Sequence, residues 1–137
     1  MNWITIEELL YLHEGISAEI GCATGILNVG GLETVLVRPF TSFDGQDMFP
    51  DLNSKVAVLI HSLIAFHPFV DGNGSLALIA ADVCLRLNGR RIVPSEENAN
   101  FFRAISLGEK SVADIAEWLA AHTESWHLDS PLNQQRS

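Results

Sequence analysis

The chain has 137 residues, 47% hydrophobic residues and a net charge of −9, with only eight Lys and Arg. This length and apolar content suit one compact core, so we predict a single domain over residues 1–137. Because nucleic-acid binding requires cations that neutralise phosphates, so few cations argue against direct nucleic-acid binding. The apolar stretches 56–66 and 76–84 are too short to span a bilayer, so we expect no membrane association.

The compartment is indicated by the N-terminus and the cysteines. Residues 1–5 lack the basic region and long apolar run of a secretory signal. Cys22 and Cys84 lie in apolar contexts without metal-ligand spacing. We therefore expect reduced core thiols rather than a disulfide, and a cytoplasmic protein.

The first elements in chain order are marked by a capping signal and by glycine and proline. Thr5 and Glu8 have the spacing of a capping box, which predicts that a helix begins there. Gly30-Gly31 indicates a turn, and residues 32–37 a short helix that Pro39 ends.

The middle of the chain carries the strongest helical patterns. Residues 40–50 contain glycine, proline and aspartate and predict a surface loop. An apolar stripe predicts a helix over 53–66. A further helix runs to about Leu87 and is ended by Asn88-Gly89. This second helix is apolar nearly all round, so we expect it to be the central helix that the others surround.

The last third predicts two more helices. Ser95 and Ser111 have the positions of helix N-caps, and residues 91–93 favour an extended piece. We expect residues 127–137 to form a flexible tail. Together these elements predict an all-α domain of about six helices around a buried central helix.

The segment with chemical potential is His67–Ser75, which reads HPFVDGNGS and lies between two apolar helices. Gly72 and Gly74 accept backbone angles closed to other residues and allow a ligand to approach the main chain. Asn73 can cap the following helix. Consecutive amides before a helix N-terminus attract anions, so a phosphate is the expected ligand.

Three side chains complete this candidate site. Asp71 offers a hard oxygen ligand suited to Mg²⁺, which commonly uses one or two carboxylates together with phosphate oxygens. His67 is the one group here able to take a proton near neutral pH. Phe69 is expected to be buried and to fix the loop to the core. The alternative is that the Asp-Gly-Asn-Gly turn is purely structural, in an all-α interaction module.

These residues resemble a family motif. His67–Gly74 is similar to the Fic motif HPFx(D/E)GNGRxxR and to the related Doc form HxFxDxNKR. The resemblance extends over nearly the whole chain, through residues 4–13, 30–33, 38–39, 49–51 and 85–89. It implies the compact helical Fic/Doc (Fido) fold, and the flanking matches favour the death-on-curing proteins over the larger Fic enzymes.

The resemblance also implies roles for individual residues. His67 would deprotonate a hydroxyl of a target protein, and Asp71 would hold Mg²⁺ on the phosphates of ATP or another nucleotide. Gly72, Asn73 and Gly74 would offer their amides to those phosphates, and Ser75 completes the predicted nucleotide site. The reaction would transfer AMP, as in Fic enzymes, or a phosphate, as in Doc, to a translation-related protein.

The sequence departs from the motif at its cations. Ser75 stands where the motif has a cation, Gly74 occupies the position of the Doc lysine, and Leu78 occupies the second Fic arginine position. Two explanations are open. A cation, from among Arg38, Lys55 and Arg86, reaches in from elsewhere, or the protein is a weakened or inactive Fido domain that still binds a nucleotide or an antitoxin.

The resemblance further implies a toxin of a toxin–antitoxin pair. The inhibitory pattern [S/T]xxxE[G/N] of some Fic proteins is absent, since Glu14-Gly15 follows Leu10 and Glu97-Asn98 follows Val93 at the first position. Regulation is therefore expected from a separate antitoxin, which would fold a disordered segment onto an apolar groove near Trp118 or Trp126. The alternative position for these tryptophans is the core or its rim.

Overall fold

The structure is a computed structural model, in which residues 1–127 are described. The α-helices of this part are α1 Ile6–Ile20, α2 Val29–Val37, α3 Leu52–Phe66, α4 Asn73–Arg86, α5 Asn98–Ser106 and α6 Val112–His122, and a 3-10 helix, Arg38–Phe40, follows α2. The short strands are β1 Ser42–Phe43, β2 Gln46–Asp47, β3 Arg90–Ile92 and β4 Thr123–Ser125. The predicted all-α fold with six helices is thus confirmed. The predicted tail lies outside the described residues, apart from residue 127.

Helix α3 is the centre of the fold. Nine of its fifteen residues are buried, and it packs against α2, α4, α5 and α6. The prediction that α4 is the central helix was wrong, because α4 leaves Gly74, Ser75 and Ile79 exposed. Gly74 and Ser75 lie at the N-terminal end of α4, and Ile79 lies on its exposed face. Because the sequence of α4 is apolar nearly all round, its pattern could not show which face the other helices cover. Within residues 1–127, no helix is both long and apolar enough to cross a membrane.

Local capping signals predicted two helix starts correctly and one incorrectly. The hydroxyls of Thr5 and Ser111 each accept a hydrogen bond from the amide three residues later, and both form capping boxes. The hydroxyl of Ser95 instead accepts from the amide of Glu97 at 3.2 Å, within the turn before α5. Helix α5 therefore begins later than predicted, at Asn98.

Helix α2 begins earlier than its sequence predicted. Gly30 and Gly31 lie in its first turn rather than in a separate turn, since the Asn28 side chain caps the helix by accepting from the amide of Gly31 at 2.9 Å. A β-carbon at position 31 would lie 2.7 Å from the Asn28 side-chain nitrogen. The glycine is required for the cap to fit, not for a chain reversal.

Two small antiparallel ladders complete the structure. The exposed segment 41–48 is the predicted surface loop, and it contains the β1–β2 pair. Asp44 and Gly45, which join these strands, have φ angles of 53° and 77°. Strand β3 confirms the extended piece predicted at 91–93, one residue earlier, and pairs with β4. Gly89 ends the preceding helix region with a φ of 80°, as predicted.

Both cysteines are free thiols. Cys84 is buried in the core, and this burial raises the pKa of its thiol to about 12. Cys22 is half-buried, and its sulfur lies 3.4 Å from the hydroxyl of Ser17. The prediction of unbridged thiols is confirmed.

Candidate functional site

The motif segment connects the C-terminus of α3 to the N-terminus of α4. His67 ends α3 with φ 45° and ψ 60°, a left-handed conformation that turns the chain out of the helix. A cavity of about 310 Å³ opens beside the segment. The structure brings all six predicted site residues to this cavity: His67, Asp71, Gly72, Asn73, Gly74 and Ser75.

The side chain of Asn73 has a structural role. Its oxygen accepts from the backbone amide of Phe69 at 3.1 Å, and its nitrogen donates to the carbonyl of the same residue at 2.9 Å. Phe69 is 2% exposed, which confirms its predicted burial. Because a buried peptide group without partners is costly, Asn73 fixes the loop by satisfying both groups at once. Only its backbone amide remains for a ligand.

His13 also holds the loop, and its sequence context did not reveal this. Its Nε2 donates to the carbonyl of Asp71 at 2.7 Å, and its ring stacks on Phe69 with centroids 3.8 Å apart. The side chain is 3% exposed. The only sequence signal was a histidine on the otherwise apolar face of α1, which does not indicate a partner 58 residues away.

Gly72 allows the loop to approach α1. Its φ of 79° is in the left-handed region that favours glycine, and a β-carbon there would lie 3.0 Å from the sulfur of Cys22 and 3.4 Å from Nε2 of His13. The predicted need for glycine is therefore both conformational and steric at this position. At Gly74, by contrast, a β-carbon would meet no atom within 4 Å.

The first turn of α4 presents open amides to the cavity. No side chain caps this helix, and its first intrahelical bond runs from the amide of Leu76 to the carbonyl of Gly72. The amides of Asn73, Gly74 and Ser75 therefore have no acceptor among residues 1–127. The amide of Gly72 is already bound, since it donates to the carboxylate of Asp71 at 2.8 Å.

Asp71 fits the requirements of a magnesium ligand. Its side chain is exposed at the cavity, and one carboxylate oxygen bonds to Gly72, which leaves the other oxygen without a partner in the described part of the chain. Residues 1–127 contain no group of three or more His, Cys, Asp or Glu that could hold a metal by themselves. A single carboxylate is the donor set with which Mg²⁺ binds when phosphate oxygens supply further ligands.

The ring of His67 is exposed and oriented by Asn73. Nδ1 lies 3.3 Å from the side-chain nitrogen of Asn73, which can only donate, so Nδ1 accepts. A neutral ring in this arrangement carries its proton on Nε2. In the other neutral tautomer, Nδ1 carries the proton and Nε2 can accept one. The side-chain nitrogen of Asn73 then no longer donates to Nδ1 but keeps its shorter bond to the carbonyl of Phe69.

The cations proposed to reach in from elsewhere are engaged in other interactions. Arg38 donates to the hydroxyl of Ser62 at 2.8 Å. Lys55 is buried and pairs with Asp47 at 2.6 Å while donating to the carbonyl of Pro39. Neither the guanidinium of Arg38 nor the ammonium of Lys55 lines the cavity at the motif.

Arg86 is also committed, at the opposite end of α4. It pairs with Asp82 at 2.8 Å, and its guanidinium lies 5.0 Å from the ring centroid of Trp126. The expectation that Arg38, Lys55 or Arg86 supplies the missing cation is therefore wrong. All three were candidates on charge alone, and only the tertiary structure shows their partners.

Comparison with known proteins identifies the relatives of this chain. The model of the Fic/DOC family matches residues 3–85, which include the complete motif segment. The chain is 29% identical over 119 residues to the protein kinase doc of Escherichia phage P1, covering 87% of this chain and 94% of that protein. It is 36% identical over 73 residues to the toxin Doc of Mycolicibacterium smegmatis, covering 53% of this chain and 56% of that toxin. The chain belongs to the Fic/Doc family.

Proposed function

We propose that the protein is a Doc-like toxin that transfers AMP or a phosphate from ATP to a hydroxyl of a target protein. The observation that carries this proposal is the convergence on one cavity of a histidine, a carboxylate and the open amides of residues 73–75. The similarity to two Doc proteins, one of them named a protein kinase, supports it.

The proposed reaction begins at the target hydroxyl. His67, in the tautomer that carries its proton on Nδ1, takes the hydroxyl proton on Nε2 while the hydroxyl oxygen attacks a phosphorus of the nucleotide. For AMP transfer, the bond from the α-phosphorus to the bridging oxygen breaks and pyrophosphate leaves. For phosphate transfer, the corresponding bond at the γ-phosphorus breaks and ADP leaves. In both cases the amides of residues 73–75 stabilise the charge on the transferred group.

The carboxylate of Asp71 would hold Mg²⁺ through its free oxygen. When bound, the ion neutralises charge on the nucleotide phosphates. The hydrogen bond from Gly72 and the contact of His13 with the Asp71 carbonyl fix the direction of this carboxylate. We therefore expect ATP to bind with little loss of conformational freedom in the loop.

Ser75 favours a second candidate function. Removing one donor at a developing charge typically costs about 3–4 kcal/mol, or a factor of about 10²–10³ in rate. A chain with serine at the motif cation is expected to be slower than its relatives. The alternative is a degenerate Fido domain that binds a nucleotide or an antitoxin without turnover.

We also propose an antitoxin as a protein partner, as the similarity to the toxin Doc suggests. A translation-related target protein is proposed only from the resemblance of the motif to Doc. Trp118 stacks on Phe101 and His122, with ring centroids 4.4 Å and 4.5 Å away, and packs against the core as a partly buried side chain. Trp126 lines a mainly apolar cavity of about 380 Å³ together with Val83 and Leu87. This second surface is the one that fits the expected groove.

A labelling experiment tests the proposed function. The chain is incubated with Mg²⁺, a cell extract and ATP labelled at the α- or the γ-phosphate, and labelled proteins are separated by electrophoresis. If proteins are labelled by both α-labelled and γ-labelled ATP, the chain does not carry out AMP transfer alone or phosphate transfer alone. Label from α-ATP alone indicates AMP transfer, and label from γ-ATP alone indicates phosphate transfer, each being lost in His67→Ala. No label above that of His67→Ala with either nucleotide would contradict turnover and favour the degenerate domain.

A further inference from the structure

A second cavity adjoins the motif on the side of α5. It has a volume of about 300 Å³ and lies between α4 and α5. Gly74 and Ser75 line both this cavity and the one at the motif, while Arg103 and Ser106 line it from α5. Two residues of the first turn of α4, Gly74 and Ser75, therefore border a space that Arg103 also borders.

The side chain of Arg103 differs from most other cations of the chain. It is exposed, and it has no hydrogen-bonding or ionic partner among residues 1–127. Apart from Arg136, all Lys and Arg lie in this range. Five of them are held by neighbouring groups: Arg38, Lys55, Arg86, Arg90 and Arg91.

Lys110 is the other cation near the motif, but its position is less suitable. It lines a cavity with His67 that contains neither Gly74 nor Ser75. Its ammonium lies 5.8 Å from the ring centroid of Phe101. Lys110 therefore lies beside His67, the proposed proton acceptor, rather than beside the amides of α4.

We propose that Arg103 of α5 binds the nucleotide phosphates beside the first turn of α4 and replaces the cation that Ser75 removes from the motif. A guanidinium presents planar donors that match phosphate oxygens, and it remains charged at any physiological pH. The short side chain of Ser75 leaves the space between α4 and α5 open, so the arginine reaches the phosphates from outside the motif.

This inference rests on the proposed nucleotide site and is tested by calorimetric titration with ATP and Mg²⁺. The parent chain is compared with Arg103→Ala, Arg103→Lys, Ser75→Arg and the double variant Arg103→Ala/Ser75→Arg. Arg90→Ala is the control for the loss of one positive charge beyond the far end of α4, a helix about 20 Å long. Because Arg90 donates to Thr123, urea unfolding also verifies that this variant stays folded. Because Arg103 is exposed, urea unfolding of its variants is expected to match that of the parent.

The expected result is a reciprocal pattern. Arg103→Ala weakens ATP binding by a factor of about 10–100, Arg103→Lys weakens it less, and Arg90→Ala changes it less than about twofold. Ser75→Arg in the Arg103→Ala background restores most of the loss. The effect of Arg103→Ala decreases as the salt concentration rises, because an exposed charge is screened.

Three results would overturn the inference. If Arg103→Ala binds ATP as Arg90→Ala does, another group supplies the cation, while the nucleotide site itself stands. If only variants with Ser75→Arg bind ATP, the parent has no replacement cation. If neither the parent nor Ser75→Arg binds ATP, the proposed nucleotide site fails, and the role of Arg103 fails with it.

Discussion

The two sides of the α4 N-terminus differ in how completely their groups are satisfied. On the side of α1, Cys22 and His13 leave no room for a β-carbon at Gly72, and the side chain of Asn73 bonds both the amide and the carbonyl of buried Phe69. On the side of α5, Gly74 and Ser75 are exposed and their amides have no acceptor within residues 1–127. The closed side fixes the backbone, and the open side is left for a ligand.

This contrast separates residues that determine stability from residues that determine binding. Changes on the closed side should lower the free energy of unfolding, and binding should change only as a consequence. Changes on the open side should alter binding at nearly constant stability. Variants of neighbouring residues along the motif can therefore test the division directly.

The largest expected effect is that of Asn73→Ala. It leaves the buried amide and carbonyl of Phe69 without partners, and each such group costs about 1–3 kcal/mol. We expect the free energy of unfolding in urea to fall by about 2–4 kcal/mol. Ser75→Ala, at an exposed position of the same turn, is the control and should change it by less than about 0.5 kcal/mol. Equal effects of the two variants would remove the distinction between the sides.

A smaller loss is expected from Gly72→Ala. The left-handed φ and the approach of Cys22 both disfavour a β-carbon, so stability should fall by about 1–3 kcal/mol. Gly74→Ala is the matched control, because its β-carbon meets no atom within 4 Å. Thermal unfolding measures both. A Gly72→Ala variant as stable as Gly74→Ala would show that the loop does not need its approach to α1.

His13→Phe should have a moderate effect on both properties. Stacking on Phe69 can be kept, but the hydrogen bond to the Asp71 carbonyl is lost, at a cost of about 0.5–1.5 kcal/mol. Because this bond orients the Asp71 segment, we expect the Mg²⁺-dependent part of ATP affinity to decrease as well. Calorimetry with and without Mg²⁺ measures that part. A loss of stability with unchanged Mg²⁺ dependence would limit His13 to a packing role.

The smallest effect is expected at His61, which lies beside the site without being held by the motif. Burial, and secondarily the charge of Arg38, lower the pKa of His61 below the ordinary value of 6.5. The unfolded chain therefore binds a proton first, so this contribution to stability is complete above pH 6.5 and is lost as pH falls through the folded pKa. In His61→Gln the stability measured by urea unfolding should decline less over this range. An identical decline would assign the acid sensitivity to other groups.

The sequence predicted those features that depend on neighbouring residues. The capping box at Thr5, the N-cap at Ser111 and the left-handed stop at Gly89 involve contacts within one turn, so local patterns were sufficient. The motif is equally local, and its predicted site residues, His67 and residues 71–75, line one cavity as expected.

Features that depend on tertiary contacts were predicted poorly. The central position of α3 over α4 is decided by which faces other helices cover, which periodicity does not show. Arg38 and Lys55 were candidates for the missing cation because the sequence does not show their partners. Ser62, the partner of Arg38, lies in α3, and Asp47, the partner of Lys55, lies in β2. The contact of His13 with Asp71 joins α1 to the motif loop and has no sequence pattern of its own.

The nucleotide site at the motif is best tested by calorimetric titration of ATP into the parent chain and Asp71→Ala, with and without Mg²⁺. Asp71 is exposed, so the variant should remain folded, which circular dichroism can verify. We expect Mg²⁺ to strengthen ATP binding to the parent and Asp71→Ala to lose this enhancement. ATP binding that is the same in both proteins, or absent from the parent with Mg²⁺ present, would contradict a nucleotide site at the motif.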